Sequence, residues 1–217
     1  MAAKLFLLFG LSLLFSGGVL LGFKKYFHLT CKMVALVFSL GAFSTLPFFL
    51  AKYLLTYTVL GTFFQIIQGT VLAYLFLAFL EEINKHQADK QSRKIGKNQK
   101  IQLAVLVGLG FAFVENLYYG YTALGEQTFL FFFPLRLILG SSAHALFSGV
   151  VGAYEAQADQ EKKRYLLPMG LSIAAGCHGL FNYVLYLGLP HLALIVLVVG
   201  YRWILRRKMR KVLKNRC

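Results

Sequence analysis

Charged residues are scarce in this chain of 217 residues, making up 14% of it, against about a quarter of a typical soluble domain. Acidic residues are the scarcest, with 8 Asp and Glu against 23 Lys and Arg. So few polar side chains cannot cover a water-soluble domain of this size, which excludes a soluble enzyme, a disordered chain and a coiled coil. Three cysteines, Cys31, Cys177 and Cys217, are too few and too scattered for a disulfide framework or a zinc knuckle.

Hydrophobic residues are abundant instead, at 58% of the chain, and the mean hydropathy is +0.65. A membrane-spanning helix needs roughly 20 mostly apolar residues, and seven runs come close enough to this length to be candidate spans. The sequence therefore predicts an all-α polytopic membrane bundle, and the lack of repeats predicts a single transmembrane domain over residues 1–217. The runs are about 5–23, 33–51, 59–83, 101–123, 129–154, 167–187 and 188–205.

The distribution of basic residues predicts the orientation, because Lys and Arg collect in cytoplasmic loops. With seven spans, one side of the membrane carries only Lys4 and Lys52. We therefore expect the N-terminus outside and the C-terminus in the cytoplasm. The net charge of +15 is then directed at anionic lipid headgroups and not at nucleic acid. The other side carries Lys24, Lys25, Lys32 and the basic residues of 84–100, 155–165 and 206–217.

The first run has two interpretations. Lys4 before an apolar run is also typical of a signal peptide. No small-residue cleavage site follows, however, and Lys24 and Lys25 suit a membrane boundary. We expect this helix to be retained.

Ionisable residues inside the membrane are costly and therefore indicate function. Glu81 and Glu82 end the third run. In the structural interpretation, Glu81 pairs with Lys85 one helical turn later. Adjacent residues on a helix project about 100° apart, so only one of the two carboxylates can face Lys85. The other is free to face the bundle interior and act as a general base on water.

The next three runs each carry further buried polar residues. Glu115 is flanked by Phe, Val, Leu and Tyr, so it faces protein or a water cavity, and an ion pair with Arg136 is its structural alternative. His144 is a lone intramembrane histidine, for which a hydrogen bond between helices is the structural alternative. His178 and Asn182 lie four residues apart on one helix face, which suits an oxyanion or a ligand.

Two other uses of these histidines are possible. His144 and His178 could be the axial ligands of a b-type haem, but haem would leave the glutamates unexplained. Cys177 beside His178 invites a Cys–His nucleophile, yet adjacent helix residues diverge, so Cys177 is expected to be a small packing residue.

Four motifs occur in order on successive spans: E-E-x-x-K at 81–85, F-x-x-x-E-N at 111–116, the isolated His144, and H-x-x-x-N at 178–182. This series resembles the PrsW family of intramembrane proteases. It is more distantly similar to the CAAX prenyl endopeptidases and bacteriocin-processing membrane proteases. The resemblance covers about residues 75–186, the expected catalytic core.

The resemblance implies a role for each motif. Glu81 or Glu82 would activate water, and His178 with Asn182 would stabilise the tetrahedral oxyanion. His144 would be a further ligand or acid. Glu115 stands where the more distant relatives have a histidine. Lys85, Asn116 and Arg136 are the expected supporting residues.

The resemblance also implies a metalloprotease, in which Glu82, Glu115, His144 and His178 would hold Zn²⁺. A glutamate-activated water without metal stays open, since the chain has no H-E-x-x-H motif. A shared site requires the third helix to run on to about Lys90, which lowers Glu81 and Glu82 into the membrane. The expected substrate is a membrane-anchored protein, such as an anti-sigma factor, in a bacterial inner membrane.

A transporter or channel is the alternative function from another class. Intramembrane Glu, Arg and His also line proton and ion paths. Transporters of this kind commonly show two related halves with broken helices, and the sequence has no such internal symmetry.

Overall fold

The computed structural model describes residues 2–58, 60–94 and 99–202, and these ranges contain helices and no strand. The end of the predicted seventh span, the basic tail and Cys217 lie outside them. The helices are α1 (Ala2–Phe27), α2 (Cys31–Phe43), α3 (Thr45–Tyr57), α4 (Leu60–Ile67), α5 (Val71–Ser92), α6 (Lys100–Thr122), α7 (Phe129–Glu161), α8 (Leu166–Tyr186) and α9 (Pro190–Gly200).

The predicted count of seven agrees with the fold, because these nine helices group into seven units. The second predicted span consists of α2 and α3, which meet at Ser44 without a loop. The third consists of the short α4 and the long α5, separated at Gly69, whose φ of 84° is in the left-handed region that favours glycine. By length and composition, α1, α2 with α3, α6 and α7 could each cross a membrane.

Helix α6 lies at the centre of the bundle, where it packs against α1, α2, α5 and α7. In its most apolar stretch 67% of the residues are buried inside the protein, against 11% in α1. The exposed side chains of α1 include Phe6, Leu14 and Leu21, as expected of a helix that faces lipid. Glu115 therefore lies on the central helix of the bundle, α6.

The predicted extension of the third span is confirmed, since α5 continues to Ser92. Glu82 lies ten residues before that end, or about 15 Å along the axis at 1.5 Å per residue. Both Glu81 and Glu82 are buried in the bundle. The charged second half of α5 therefore places the two carboxylates inside the protein and not at its edge.

Helices α5 and α8 approach closely where their site residues lie. A Cβ atom on Gly179, next to His178, would be 2.7 Å from the Cα of Leu75. Glycine at position 179 thus allows the contact that brings the α8 histidine against the α5 carboxylates.

We expect Gly179→Ala to lower the free energy of unfolding by about 1–3 kcal/mol, because the methyl group meets backbone that cannot yield. Gly176→Ala is the matched control on the same helix, since a Cβ there meets no described atom within 4 Å and alanine favours helix. Denaturation of both variants in detergent measures the difference. Equal stability of the two would contradict the close approach.

Candidate active site

Four helices bring their predicted site residues to one buried cluster. Helix α5 supplies two carboxylates and a lysine, α6 a carboxylate, and α7 and α8 one imidazole each. The exposed fractions are 4% or less, so the cluster is enclosed by protein. Its members are Glu81 (2%), Glu82 (1%), Lys85 (2%), Glu115 (4%), His144 (3%) and His178 (1%).

Glu82 lies between a lysine and a histidine. Its Oε1 accepts a hydrogen bond from Lys85 Nζ at 2.6 Å and lies 2.8 Å from His178 Nδ1. The expected pairing of Lys85 with Glu81 is therefore wrong. Glu82 is the better partner because one of its oxygens accepts from both Lys85 Nζ and His178 Nδ1. Lys85 Nζ also lies 4.8 Å from the centre of the Phe111 ring.

Glu115 has an equivalent position between an arginine and the other histidine. Its Oε2 lies 2.6 Å from His144 Nε2 and 3.4 Å from Arg136 Nη2. The predicted ion pair with Arg136 is thus present, and the histidine contact is additional. An ionised carboxylate only accepts hydrogen bonds, so both imidazoles donate: His178 from Nδ1 and His144 from Nε2.

The two imidazole rings contact each other edge to face, with centroids 4.9 Å apart. Phe147 stacks on His178 at 5.0 Å, and Phe111 lies 5.4 Å from His144. These contacts fix the ring orientations. They also leave no space for a porphyrin between the rings, so the haem interpretation is wrong.

One of the two remaining ring nitrogens faces the third carboxylate. His178 Nε2 lies 3.5 Å from Glu81 Oε2. His144 Nδ1 and Glu81 Oε2 are buried polar atoms without a hydrogen-bond partner. Glu81, His144 and His178 each offer a ligand atom, and these atoms lie within 4.8 Å of one another. Two imidazoles and one carboxylate form a ligand set that suits Zn²⁺ and leaves a position for water.

This geometry favours a different metal ligand set from the predicted one. The predicted ligands Glu82 and Glu115 are each engaged by a cation and an imidazole N–H, whereas Glu81 has no such donor. A carboxylate that accepts from the far nitrogen of a metal-binding histidine orients the ring and raises its basicity. Glu82 and Glu115 fit that orienting position, and Glu81 fits the ligand position.

A cavity of about 560 Å³ opens beside the cluster. Its wall includes Glu81, Glu115, His144 and Asn182, so the polar groups border open space and not dry packing. Most of the remaining wall is aromatic or aliphatic, from Phe48, Tyr74, Leu77, Phe131, Phe132, Leu135, Leu139, Phe181, Leu185 and Tyr186. Such a cavity can hold both water and an apolar polypeptide segment.

Two of the predicted residues lie beside the cluster in packing positions. Asn116 is buried and donates a hydrogen bond to Ser141 Oγ at 3.1 Å, which ties α6 to α7. Cys177 packs against the apolar core that α7, α8 and α9 share. This contact agrees with the packing interpretation of Cys177.

The sequence interpretation overlooked several polar residues around the site. Tyr119 lies one turn beyond Glu115 and contacts both Lys52 and Arg136. A second buried cluster lies between α5 and α7, where Arg93 forms ion pairs with Asp89 and Glu155 beside His86. The spacing of Glu82, His86, Asp89 and Arg93 along one face of α5 is a signal that could have found it.

The fold and the cluster define a polytopic helical membrane protein with a buried carboxylate–imidazole cluster. The model of the PrsW family, described as PrsW family intramembrane metalloprotease, matches residues 30–205. The chain belongs to this family and is therefore a multi-pass membrane endopeptidase that acts on membrane-embedded protein. No curated protein and no solved structure matches the chain significantly.

We expect the purified protein to bind one divalent metal ion, and Glu81→Gln, His144→Ala and His178→Ala each to lose it. Glu82→Gln and Glu115→Gln should weaken binding by about 10- to 100-fold, since they orient the ligands without forming the set. Elemental analysis after dialysis against graded chelator measures this order. His191→Ala, on an exposed site outside the cluster, is the control. Equal metal content in all variants would contradict the ligand set.

Proposed function

We propose that this chain hydrolyses a peptide bond of a membrane-anchored protein with a water molecule activated at Glu81, His144 and His178. The observation that carries the proposal is the cavity of about 560 Å³ that borders Glu81 and His144 inside the helix bundle. Hydrolysis within a bilayer needs water, a base and donors for the oxyanion. The cavity provides space for water, next to candidate residues for the base and for the oxyanion donors.

Glu81 is the carboxylate we assign to water activation. It borders the cavity, and among the described residues no cation or hydrogen-bond donor engages it. Its Oε1 can therefore accept a proton while Oε2 lies against His178. The water oxygen attacks the carbonyl carbon as its proton passes to Glu81. The same proton then goes to the amine that leaves as the C–N bond breaks.

Asn182 is the donor we assign to the oxyanion. Its side chain lines the cavity one turn after His178. Both nitrogens of His178 face carboxylates, Nδ1 towards Glu82 and Nε2 towards Glu81. The expected oxyanion role therefore suits the amide of Asn182 better than the imidazole.

Glu82 and Glu115 act by holding the imidazoles. Each takes a hydrogen bond from one ring, and each is held charged by a cation, Lys85 or Arg136. This contact fixes which nitrogen faces Glu81. The role fits their deep burial, since an unpaired carboxylate would be strongly unfavourable there.

The metal that the family name implies fits Glu81 Oε2, His144 Nδ1 and His178 Nε2, and we propose Zn²⁺. When bound, the ion lowers the pKa of a coordinated water to near neutrality and polarises the substrate carbonyl.

The substrate and the location are further parts of the proposal. The apolar cavity wall suits a membrane-anchored segment, and we propose an anti-sigma factor in a bacterial inner membrane as the natural substrate. We also propose that the whole chain is one transmembrane domain, with its N-terminus outside and its C-terminus cytoplasmic, as the basic loops indicate. Nothing in the described residues favours the transporter alternative.

The test measures peptide cleavage by six variants. Each variant is purified into lipid nanodiscs and incubated with a library of single-span peptides. Each variant should cleave about 10²-fold more slowly or worse, because each loses a group that activates water, orients an imidazole or stabilises the oxyanion. The six variants are Glu81→Gln, Glu82→Gln, Glu115→Gln, His144→Ala, His178→Ala and Asn182→Ala. Mass spectrometry of the products measures the loss.

Glu126→Gln and His191→Ala repeat the same substitutions at exposed positions outside the cluster and should retain wild-type turnover. The proposal is wrong if the six variants cleave as fast as these two.

A further inference from the structure

Two cations line the cavity and lie against one aromatic ring. Lys52 on α3 and Arg136 on α7 both line it, and both lie against the ring of Tyr119. The Arg136 guanidinium carbon is 3.9 Å from the ring centre, and Lys52 Nζ is 5.2 Å from it. Lys52 also donates a hydrogen bond to the Tyr119 hydroxyl at 3.2 Å.

The N–H donors of these two cations outnumber the acceptor atoms around them. Arg136 Nε is buried without a hydrogen-bond partner, and the contact of Arg136 with Glu115 is a single one at 3.4 Å. A guanidinium has five N–H donors and an ammonium has three. Among the described residues, no carboxylate lies within 4 Å of Lys52 Nζ. The half-buried positive charge of Lys52 therefore has no ion-pair partner among the described residues.

A purely structural account explains part of this arrangement. Arg136 keeps Glu115 ionised, and the aliphatic stem of Lys52 covers apolar surface. That account leaves the buried Nε of Arg136 without an acceptor and the half-buried ammonium of Lys52 without an anionic partner among the described residues. Unmet donors cost free energy in an apolar setting, whereas a carboxylate placed between them would satisfy both.

We propose that Lys52 and Arg136 form an anion-binding subsite for a carboxylate of the substrate polypeptide. This rests on the proposed protease function. Arg136 Nη2 and His144 Nε2 both contact Glu115 Oε2, at 3.4 Å and 2.6 Å, so these two nitrogens lie no farther apart than the sum of the two distances. An extended chain advances about 3.3 Å per residue. The carboxylate therefore lies one or two residues from the scissile peptide bond.

The carboxylate has two possible sources, an acidic side chain or the C-terminus of the substrate. Wild-type protein in nanodiscs is assayed with a single-span peptide that it cleaves at a mapped bond. In one arm, the C-terminus is amidated and Asp is moved through positions one to six on each side of the bond. In the other arm, no acid is present and a free C-terminus lies one or two residues beyond the bond.

In the first arm, we expect kcat/KM to be about tenfold higher with Asp than with Asn at the first or second residue on one side, as for a charge-assisted hydrogen bond. In the second, the same gain over the amidated peptide would assign the subsite to the chain terminus. Equal rates with Asp, Asn and Lys in the first arm, and with free and amidated ends in the second, would overturn the subsite.

Charge reversal of the enzyme identifies the residue responsible. Lys52→Gln should reduce the Asp-to-Asn ratio towards one, and Lys52→Glu should reverse it in favour of a Lys peptide. Lys4→Gln is the matched control, since Lys4 binds the backbone carbonyls of Leu124 and Glu126 away from the cavity. It should keep the wild-type ratio.

The wild-type peptide series tests the subsite even if a Lys52 variant does not fold. Cleavage that ignores charge would refute the subsite and leave the protease function standing. A wild-type protein that cleaves none of the library would instead refute the proposed function.

Discussion

The structure depends on keeping two carboxylates charged inside a bundle surrounded by lipid. Burying an ionised carboxylate is costly unless a cation and hydrogen-bond donors satisfy it. The protein meets this requirement twice, in series that run cation–carboxylate–imidazole. Lys85, Glu82 and His178 form one series, and Arg136, Glu115 and His144 form the other. Each carboxylate fixes one ring nitrogen and leaves the opposite nitrogen of that ring available, and the available nitrogen of His178 lies 3.5 Å from Glu81 Oε2.

This arrangement explains why the site needs four helices. One carboxylate–imidazole hydrogen bond connects α5 to α8, and the other connects α6 to α7. Each imidazole is therefore oriented by a carboxylate on another helix. The rings are further fixed by Phe111 and Phe147. Groups held on packed helices maintain the close geometry that a hydrolytic site requires. The cavity borders Glu81, the carboxylate of the cluster that no cation engages.

Much of this organisation could be predicted from the sequence. Hydrophobic runs gave the seven units, and the order of the motifs indicated that Glu, His and Asn side chains share a site. The extension of α5 followed from the requirement that Glu81 and Glu82 reach the histidines. The rotation of α5 about its axis could not be predicted. Glu81 and Glu82 differ by about 100° in direction, and only packing against α8 determines that Glu82 takes Lys85. Tyr119 was also missed, because an aromatic residue in a span gives no sign of the cations that stack on it.

The central claim is that two imidazoles and the Glu81 carboxylate face one point. X-ray absorption spectroscopy of the purified protein loaded with Zn²⁺ tests it most directly, since outer-shell scattering counts imidazole rings. The account predicts two imidazoles with the remaining ligands all oxygen, and one imidazole in either His144→Ala or His178→Ala. A shell with one imidazole or none in the wild-type protein, or with sulfur from Cys177, would contradict it.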